Sequence, residues 1–430
     1  MPGHKGRGPL GVEKYDITEI SGADVLYSPS GIILESELYA TELFGTAHTF
    51  YSAEGSTLSI KAMLAIALRE LGYGKRPVIL AGRNAHKAFI YGAAQLGLEV
   101  KWLMPDGGSH IASLSVSAEG LRKKLLSMGE LPFAVYITSP DYLGGSSDIA
   151  ALSSVCREFG IPLLVDNAHG AYLAFLDESK HPISLGAAMC CDSAHKTLPV
   201  LTGGSYLHIS KEYSFLTEGA RDMLSLFSST SPSYLILASL DLVNKYISEG
   251  YRQRLRSTVD SINGLKKELA GIGFAPEISD PLKIVIKASK YGYSGYELAE
   301  KMRNFGLECE MADRDYLVMM LTPENDPQEL SKIAKAISGL EIRQSIEIDL
   351  PGISEPCIAM SIRDSIFSSS ESIPVCDAVG RILSQPSVSC PPAVPVAICG
   401  ERLTRASVEL LSYYGISRIS VVKEDKAEEK

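Results

Sequence analysis

The sequence predicts an α/β fold with a larger first domain and a smaller second one. Between residues 55 and 209, short apolar runs bounded by turn residues alternate with longer segments of helical period. This alternation is typical of βαβ units that build a mainly parallel sheet. The chain has 430 residues, and at roughly 150 residues per domain this length corresponds to two or three domains. Hydrophobic residues make up 45% and charged residues 21%, which predicts a folded, water-soluble protein.

Predicted helices and strands alternate along the first domain. The predicted helices cover residues 56–71, 84–96, 118–127 and 148–159. The predicted strands cover residues 77–80, 99–104, 133–138, 161–165, 188–191 and 205–209. Apolar residues surround most of the first helix, so we expect it to be buried beside the sheet.

The pattern changes after Pro232. Residues 234–269 read as one long helical stretch that could pass into a second domain, with a boundary near residues 271–276. The second domain is predicted as α/β or α+β, with strands at 282–287 and 316–321 and helices at 295–305 and 327–340. Residues 368–372 and 385–395 are Ser/Pro-rich loop candidates, and the charged tail 423–430 is expected to fray. We therefore divide the chain into an N-terminal arm (1–30), a large domain (31–273) and a small C-terminal domain (274–430).

Composition excludes several classes of partner. The 41 basic and 51 acidic residues give a formal net charge of −10, the wrong sign for gripping a phosphate backbone. No stretch approaches the roughly 18 consecutive apolar residues of a membrane span, and the N-terminus has no apolar signal segment. The eight cysteines form no Cys-x-x-Cys pair, and no histidine stands at zinc-ligand spacing. We therefore expect free thiols, no metal site, no nucleic-acid or membrane partner, and a cytoplasmic location.

The strongest local signal is Asp-Ser-Ala-His-Lys-Thr at residues 192–197. Lys196 follows a predicted strand, where strand ends project into the ligand crevice of an open α/β sheet. A lysine amine can form a Schiff base with a carbonyl cofactor, and partial burial lowers its pKa so that the neutral nucleophile is available. Taken alone, a lysine at such a place is more often a solvated surface residue.

Thirty residues earlier, an apolar strand ends in Asp166, and His169 follows it. This strand end places the Asp166 carboxylate at the same edge of the sheet as Lys196. Such an acid can keep a pyridine nitrogen protonated, which makes the ring an electron sink. An aspartate at a strand end is also a common cap of the following turn, and a lone histidine is more often a satisfied core residue.

Two further segments suit a ring that carries a phosphate. The start of the buried helix, Ala-Glu-Gly-Ser-Thr at residues 53–57, offers free backbone N–H groups, hydroxyls and the positive end of the helix dipole. An ordinary N-cap would use the same residues. His86 comes just after another strand end and could lie flat against an aromatic cofactor, although a single histidine is more often structural.

In combination, these features follow the order seen in aspartate-aminotransferase-like (fold type I) pyridoxal-phosphate enzymes. The sequence resembles, along nearly its whole length, the pyridoxal-phosphate-dependent ornithine/lysine/arginine decarboxylase family. The matching blocks are residues 1–6 (MPGHKG), 48–60 (HTFYSAEGSTLSI), 83–87 (RNAHK), 139–149 (SPDYLGGSSDI), 166–170 (DNAHG), 193–202 (SAHKTLPVLT), 229–241 (STSPSYLILASLD) and 391–401 (PPAVPVAICGE).

The resemblance implies roles for individual residues. Lys196 resembles the Schiff-base lysine, Asp166 the partner of the pyridine nitrogen, and His86 the histidine that stacks on the cofactor ring. His169 is similar to the histidine near the cofactor's substituents. The phosphate or near-phosphate contacts implied in the same way are Gly55, Ser56, Thr57, Ser193 and His195. Ser229 and Thr230 lie in a segment similar to one that reaches the cofactor across a dimer interface, which implies a homodimer or a multiple of one.

The sequence departs from the family pattern near the expected site. Ala88 stands where the family has a serine after His-Lys, and Gly203 stands where it has a glutamine after Thr202. Substrate preference and activity are therefore open to change. The chain begins at the Pro-Gly-His-Lys block and resembles the short type without the response-regulator-like wing domain, although a misassigned start codon is an alternative.

The function implied is α-decarboxylation of a basic amino acid, arginine, lysine or ornithine, with pyridoxal 5′-phosphate, as in polyamine biosynthesis. Resemblance to short relatives favours arginine. A cationic substrate needs an acidic partner, for which Glu401 and Asp141 are the candidates, although either could be an ordinary surface carboxylate. The alternatives are transamination, β-elimination, or cofactor binding without turnover. The stacking histidine favours decarboxylation over transamination.

Overall fold

The computed structural model describes residues 2–72, 77–105, 116–347, 355–389 and 395–424. Within these ranges, the strands form one seven-stranded sheet, one three-stranded sheet and two two-stranded sheets. Across the same ranges, no helix combines the length and the apolar character needed to cross a membrane. The cysteines described are all free thiols, as predicted.

The seven-stranded sheet is mainly parallel, as predicted. Its strands are β1 (His48–Ser52), β2 (Val78–Gly82), β3 (Glu99–Leu103), β4 (Ala134–Thr138), β5 (Leu163–Asp166), β6 (Met189–Asp192) and β7 (Ser205–Ile209). Their spatial order is β1-β7-β6-β5-β4-β2-β3. The five strands from β6 to β3 run parallel, whereas β7 is antiparallel to β6 and β1 is antiparallel to β7. The sequence analysis did not predict β1.

Both faces of this sheet are covered. Along β4, the side chains of Val135 and Ile137 pack into one apolar core and Tyr136 packs into another on the opposite face, because successive strand residues point to opposite sides. The helices of this region are α1 (Ile32–Phe44), α2 (Gly55–Leu71), α3 (Lys87–Leu96), α4 (Ala118–Ser127), α5 (Ile149–Glu158), α6 (Ala194–Thr197), α7 (Ala220–Phe227), α8 (Tyr234–Ser248) and α9 (Tyr251–Gly271). As predicted, α2 is largely buried.

The single long helix predicted over residues 234–269 is wrong in one respect. The chain forms α8 and α9, which are separated at Gly250. Gly250 has φ of +82°, a left-handed conformation that glycine adopts without steric cost and that ends a helix. The helical period continues through this glycine, which is why the pattern alone missed the break.

The second region packs a three-stranded antiparallel sheet against helices. Its elements are β8 (Lys283–Lys287), α10 (Gly295–Arg303), β9 (Met311–Ala312), β10 (Tyr316–Met320) and α11 (Pro327–Ser338), in the spatial order β8-β10-β9. Apolar side chains of this region join one continuous core with α8, α9 and the segment after β5. The second region therefore packs directly beside the first.

A third region has an apolar core of its own, built from residues between Val375 and Val421. Its elements are α12 (Ile362–Phe367), β11 (Ser370–Pro374), β12 (Ser387–Ser389), β13 (Pro395–Ile398), α13 (Arg405–Tyr413) and β14 (Arg418–Val422). The division of the chain at residues 30 and 273 stays a prediction, and the packing adds a second apolar cluster within residues 274–430.

Two of the predicted loops contain strands instead. Residues 370–374 pair with β14, and residues 387–389 pair with β13. Serine-rich composition suggested loops, but backbone pairing places these residues in two-stranded ribbons. The partner of β11 begins more than forty residues after β11 ends, whereas β13 begins six residues after β12 ends. Residues 390–394 of the second loop and residues 425–430 of the tail lie outside the described residues.

A buried ion pair fastens the third region to the large sheet. Arg83 directly follows β2 and is 2% exposed, and Glu401 follows β13 and is 5% exposed. Arg83 Nη2 donates to Glu401 Oε2 at 2.8 Å, and Nη1 donates to Oε1. The Ile398 N–H also donates to Oε2 at 3.2 Å, and the guanidinium lies 5.3 Å from the centroid of the Trp102 ring.

We predict that Glu401→Ala lowers the free energy of unfolding by about 3–5 kcal/mol, because it leaves the Arg83 guanidinium buried without a counter-charge. Urea unfolding followed by circular dichroism measures this loss. The control is Glu158→Ala, which removes an exposed pair with Arg122 and is expected to change stability by no more than about 0.5 kcal/mol. Equal losses in the two variants would contradict the prediction.

Candidate active site

A cavity opens where the parallel strands β2, β4, β5 and β6 end. The segments that follow these strands line it, since the carboxyl ends of parallel strands meet at one edge of the sheet. The cavity encloses about 510 Å³, the solvent at its mouth included. Its lining contains six residues predicted from the sequence, namely Ser56, His86, Asp141, Asp166, His169 and Lys196.

Lys196 lies on the short helix α6 directly after β6. Its Nζ is 3.0 Å from His169 Nε2 and 5.5 Å from the centroid of the Tyr142 ring. Burial lowers the pKa of the Lys196 amine, although the negative charge of Asp166 works in the opposite direction. The neutral amine is therefore more accessible here than on a surface lysine.

His169 is buried beside this amine, with its ring in an edge-to-face contact with the Tyr142 ring at a centroid distance of 4.7 Å. Burial, reinforced by the nearby Lys283 and Lys196 cations, holds the pKa of His169 well below its ordinary value. The ring is therefore neutral at neutral pH. When Nε2 accepts from the lysine, the ring proton lies on Nδ1, an atom with no hydrogen-bond partner among the described residues.

Asp166, the last residue of β5, presents a buried carboxylate to the cavity. It is 2% exposed. The Tyr136 hydroxyl donates to Oδ2 at 3.1 Å, and the Ala168 N–H donates to Oδ1 at 3.2 Å. The Cys191 thiol is a third donor, at 3.7 Å from Oδ1. These hydrogen bonds hold a carboxylate that the parallel register of β4 and β5 places at the cavity edge.

A second buried carboxylate, Asp192, binds the residue next to Asp166. Asp192, the last residue of β6, accepts a 2.7 Å hydrogen bond from the side chain of Asn167, the neighbour of Asp166. His181 and His208 lie 3.0 and 3.1 Å from its other oxygen. Burial would raise the pKa of Asp192, but these two histidines outweigh that effect and hold the pKa far below its usual value. Cys190 lies close to His181 and Asp192, and hydrogen bonds already engage the atoms that a metal would need.

His86 begins helix α3, and its Nδ1 accepts the Ala88 N–H at 3.2 Å. This bond fixes the ring orientation at the cavity wall, and burial lowers the pKa of His86, which favours the neutral ring. The bond uses the main chain of Ala88. The change from the family's serine at this position therefore leaves it intact.

The first turn of helix α2 faces Ser193. Within the described residues, no side chain caps this helix, and the Ser193 hydroxyl donates to Ser56 Oγ at 2.7 Å. The Gly55 N–H donates to the Gly203 carbonyl at 2.7 Å. Gly203 has φ of +102°, and a Cβ there would lie 3.0 Å from the Ala53 carbonyl oxygen. Glycine thus allows a close approach of two backbones that shapes the turn before α2.

Several residues predicted for the site lie elsewhere. Glu401 is a correction, because its carboxylate binds Arg83 and lines a different pocket, so it is not available to a substrate in this cavity. His195 Nδ1 lies 2.9 Å from the Gly204 carbonyl oxygen. The ring therefore holds the turn that leads into β7 and does not line the cavity.

The other three predicted phosphate or interface contacts are exposed. Thr57 lies on the first turn of α2, and Ser229 and Thr230 lie between α7 and α8. The Ser229 N–H donates to Glu54 at 2.6 Å, which places this segment beside the start of α2. Their roles toward a cofactor stay predictions.

Sequence reasoning missed residues that complete the cavity. Asn84, Thr138 and Tyr142 line it, and the last of these belongs to the matched block 139–149, so the motif offered a signal. Lys283, on β8, does not line the cavity but lowers the pKa values of His169 and Lys196 through its charge. It lies more than eighty residues after Lys196, and no local sequence pattern identifies it.

Comparison with known proteins agrees with this geometry. Residues 11–279 match the family model described as Orn/Lys/Arg decarboxylase, major domain. The chain belongs to this family. It is 31% identical over 416 residues to the uncharacterized protein YaaO of Bacillus subtilis, covering 92% of this chain and 85% of that one. It is 28% identical to a Bacillus subtilis arginine decarboxylase, covering 96% and 89%. Family membership makes the chain a pyridoxal-phosphate-dependent decarboxylase.

Solved structures confirm the fold predicted for this chain. The Francisella novicida lysine decarboxylase aligns with a TM-score of 0.83 at 16% identity, covering 98% of this chain and 78% of that one. The constitutive lysine decarboxylase of E. coli aligns with a TM-score of 0.76 at 18% identity, covering 98% and 79%. A NifS-like protein aligns at 0.56, with 16% identity and coverage of 71% and 86%. The prediction of fold type I is therefore confirmed.

The residues of the cavity fit pyridoxal phosphate. A lysine amine and a buried carboxylate face one cavity, a helix begins without a side-chain cap, and Thr138 Oγ1 is a buried polar atom without a partner in the described part of the chain. This donor set matches an aldehyde, a ring nitrogen and a phosphate. Lys196, Asp166 and the start of α2 would hold these three groups respectively.

We predict that Gly203→Ala destabilises the protein by about 1–3 kcal/mol, because an L-residue is strained at this φ and its Cβ crowds the Ala53 carbonyl. Urea unfolding measures the change. Gly264→Ala is the matched control, since Gly264 lies in α9 with open space around its Cα, and alanine there is expected to stabilise by about 0.5–1 kcal/mol. A Gly203→Ala protein as stable as the parent would contradict the prediction.

Proposed function

We propose that this protein removes the α-carboxyl group of a basic amino acid, arginine, lysine or ornithine, with pyridoxal 5′-phosphate bound at Lys196. The observation that carries the proposal is that the Lys196 amine and the Asp166 carboxylate line the same partly closed cavity. Family membership supports the decarboxylation, and names of the relatives support a basic amino acid. Resemblance to short relatives favours arginine among the three.

Different residues of the cavity have different roles in the proposed reaction. When bound, pyridoxal phosphate supplies a ring that accepts the electron pair left by the departing carboxylate. Asp166 would hold a proton on the ring nitrogen, and the Tyr136 hydroxyl and the Ala168 N–H, which donate to its carboxylate, fix its position at the cavity edge. Lys196 would hold the cofactor through its amine, whose pKa burial lowers.

Two histidines orient and exchange protons in this proposal. His86 would lie against the cofactor ring, and its own ring is oriented by the Ala88 N–H. His169 Nε2 lies 3.0 Å from Lys196 Nζ. This contact would allow a proton to pass between the two atoms, and either group could supply the proton that the α-carbon needs after carbon dioxide has left.

The substrate's cationic end needs a carboxylate at the cavity mouth. Asp141 lines the cavity, and its Oδ1 accepts the Gly145 N–H at 2.8 Å. Glu310, from the second region, is exposed and acts electrostatically on both Lys196 and Tyr142. We propose these two acids as the partners of the substrate's positive charge.

The sequence also predicts the setting in which the enzyme works. A homodimer or a multiple of one would bring the exposed segment of Ser229 and Thr230 to a neighbouring subunit's cofactor, as the family resemblance implies. A cytoplasmic location and a part in polyamine biosynthesis complete the proposal.

The decisive experiment measures carbon dioxide release from carboxyl-labelled arginine, lysine and ornithine by the cofactor-saturated protein. We expect release from at least one of them, with arginine the fastest. Ketoacid formation without carbon dioxide would indicate transamination. None of the three substrates has a leaving group on its β-carbon, so β-elimination is tested separately with serine, from which it would release pyruvate and ammonia. A bound cofactor with no turnover of any of the three would indicate a binding protein, and each of these outcomes would contradict the proposal.

We predict that Asp166→Asn retains bound cofactor but lowers turnover by orders of magnitude, because an amide does not keep the ring nitrogen protonated. Near-ultraviolet absorbance measures cofactor content, and carbon dioxide release measures turnover. Asp148→Asn is the control, since Asp148 caps α5 through the Ala151 N–H and does not line the cavity. Near-normal turnover in Asp166→Asn would refute the role of Asp166.

A further inference from the structure

Lys283, the first residue of β8, carries an ammonium group that is almost completely buried. It is 1% exposed, although lysine is rarely buried unless it is paired. Its Nζ lies 3.2 Å from Asp280 Oδ2 and donates to the Asp141 carbonyl oxygen at 2.9 Å. One buried cation of the second region thus binds the loop that follows β4 in the first region.

Asp280 connects Lys283 to a second segment of the active site, the one that follows β5. The hydroxyl of Tyr172 donates to Asp280 Oδ1 at 3.1 Å. Tyr172 is fully buried in the turn of residues 171–175, three residues after His169. The Lys283–Asp280 pair therefore contacts both the segment after β4 and the segment after β5.

The loop of residues 139–145 fits closely against this pair. Gly144 has φ of +78°, and a Cβ at this position would lie 2.7 Å from the Asp280 nitrogen. The same loop carries Tyr142, whose ring contacts His169 and faces the Lys196 amine. A shift of the loop would therefore change the surroundings of the reactive lysine.

We propose that Lys283 is a positioning residue of the active site, whose buried ammonium holds residues 139–145 over Lys196 and places a fixed positive charge behind it. This inference rests on the proposed function, because it concerns the lysine that would bind the cofactor. The inference adds to the site a residue of the second region, which lies outside the sequence motif around Lys196.

The charge of Lys283 has a predictable sign of effect. A positive charge near Lys196 disfavours a second positive charge there, so it lowers the pKa of the Lys196 nitrogen. It also lowers the pKa of His169. Removal of the charge should raise both pKa values. The titratable or charged groups that face or act on Lys196 among the described residues include Asp166, Cys191, His86, His169, Lys283, Glu310 and Tyr142.

The test is a pH titration of the near-visible absorbance band of the cofactor bound to Lys196, in the full-length loaded protein. The main variant is Lys283→Gln, which removes the positive charge, keeps a polar side chain and leaves the Asp280 carboxylate in place. We expect the midpoint of the titration to move to higher pH. Lys283→Arg keeps the charge and the donor, and we expect it to titrate like the parent protein.

Lys266→Met is the matched control. Lys266 is also partly buried beside Asp280, 3.4 Å from its carbonyl oxygen, and it does not contact the loop of residues 139–145. We expect no movement of the midpoint in this variant. Lys283→Met, which also loses the charge and is similar in length to lysine, is expected to give the same upward shift and replaces Lys283→Gln if that protein does not fold.

The outcomes separate this inference from the proposed function. Parent protein with no near-visible band would contradict cofactor binding at Lys196, and so the proposed function. A normal band in the parent, with an unchanged or lower midpoint in the charge-free variants, would overturn the role of Lys283. An equal shift in Lys266→Met would also overturn it, because the effect would then not be specific to the group on the loop.

Discussion

The site depends on keeping a lysine amine and an aspartate carboxylate together in one partly closed cavity. The parallel sheet achieves this, because β5 and β6 are neighbours and both end at the same edge. Asp166 is the last residue of one strand, and Lys196 follows the other by four residues. Burial lowers the pKa of the amine, which makes it a better nucleophile, and hydrogen bonds from Tyr136 and Ala168 fix the position of the carboxylate.

Several buried charges lie in and near this cavity, and each pair or cluster of them contacts more than one segment of the chain. Asp192 joins two histidines and the neighbour of Asp166. Arg83 and Glu401 join the large sheet to the third region, and Lys283 and Asp280 join the second region to two segments of the site. A buried charge without its partner is costly. These pairs therefore make the positions of the three regions and the geometry of the cavity depend on one another.

The sequence predicted the parallel core of the fold and the residues that follow its strands, because both are local in the chain. Lys196, Asp166, His86 and Ser56 come directly after strands or at a helix start, so a strand assignment places them at one edge of the sheet. Contacts between distant segments left no such signal. Glu401 belongs to a matched sequence block, but its carboxylate binds Arg83. Lys283 belongs to no matched block. The break between α8 and α9 at Gly250 was missed because the helical periodicity continues through it. The strand β11 was missed for the same reason, because its partner β14 lies far along the chain. The strand β12, which pairs with the nearby β13, was missed because its Ser/Pro-rich composition suggested a loop.

The measurement that most directly tests this account is borohydride reduction of the cofactor-saturated protein, followed by mass mapping of its peptides. The reduction makes the lysine–cofactor bond permanent, so the modified residue can be identified. The account predicts a single pyridoxyl phosphate group on Lys196. A label on a different lysine, or no label in protein that still releases carbon dioxide from a basic amino acid, would contradict it.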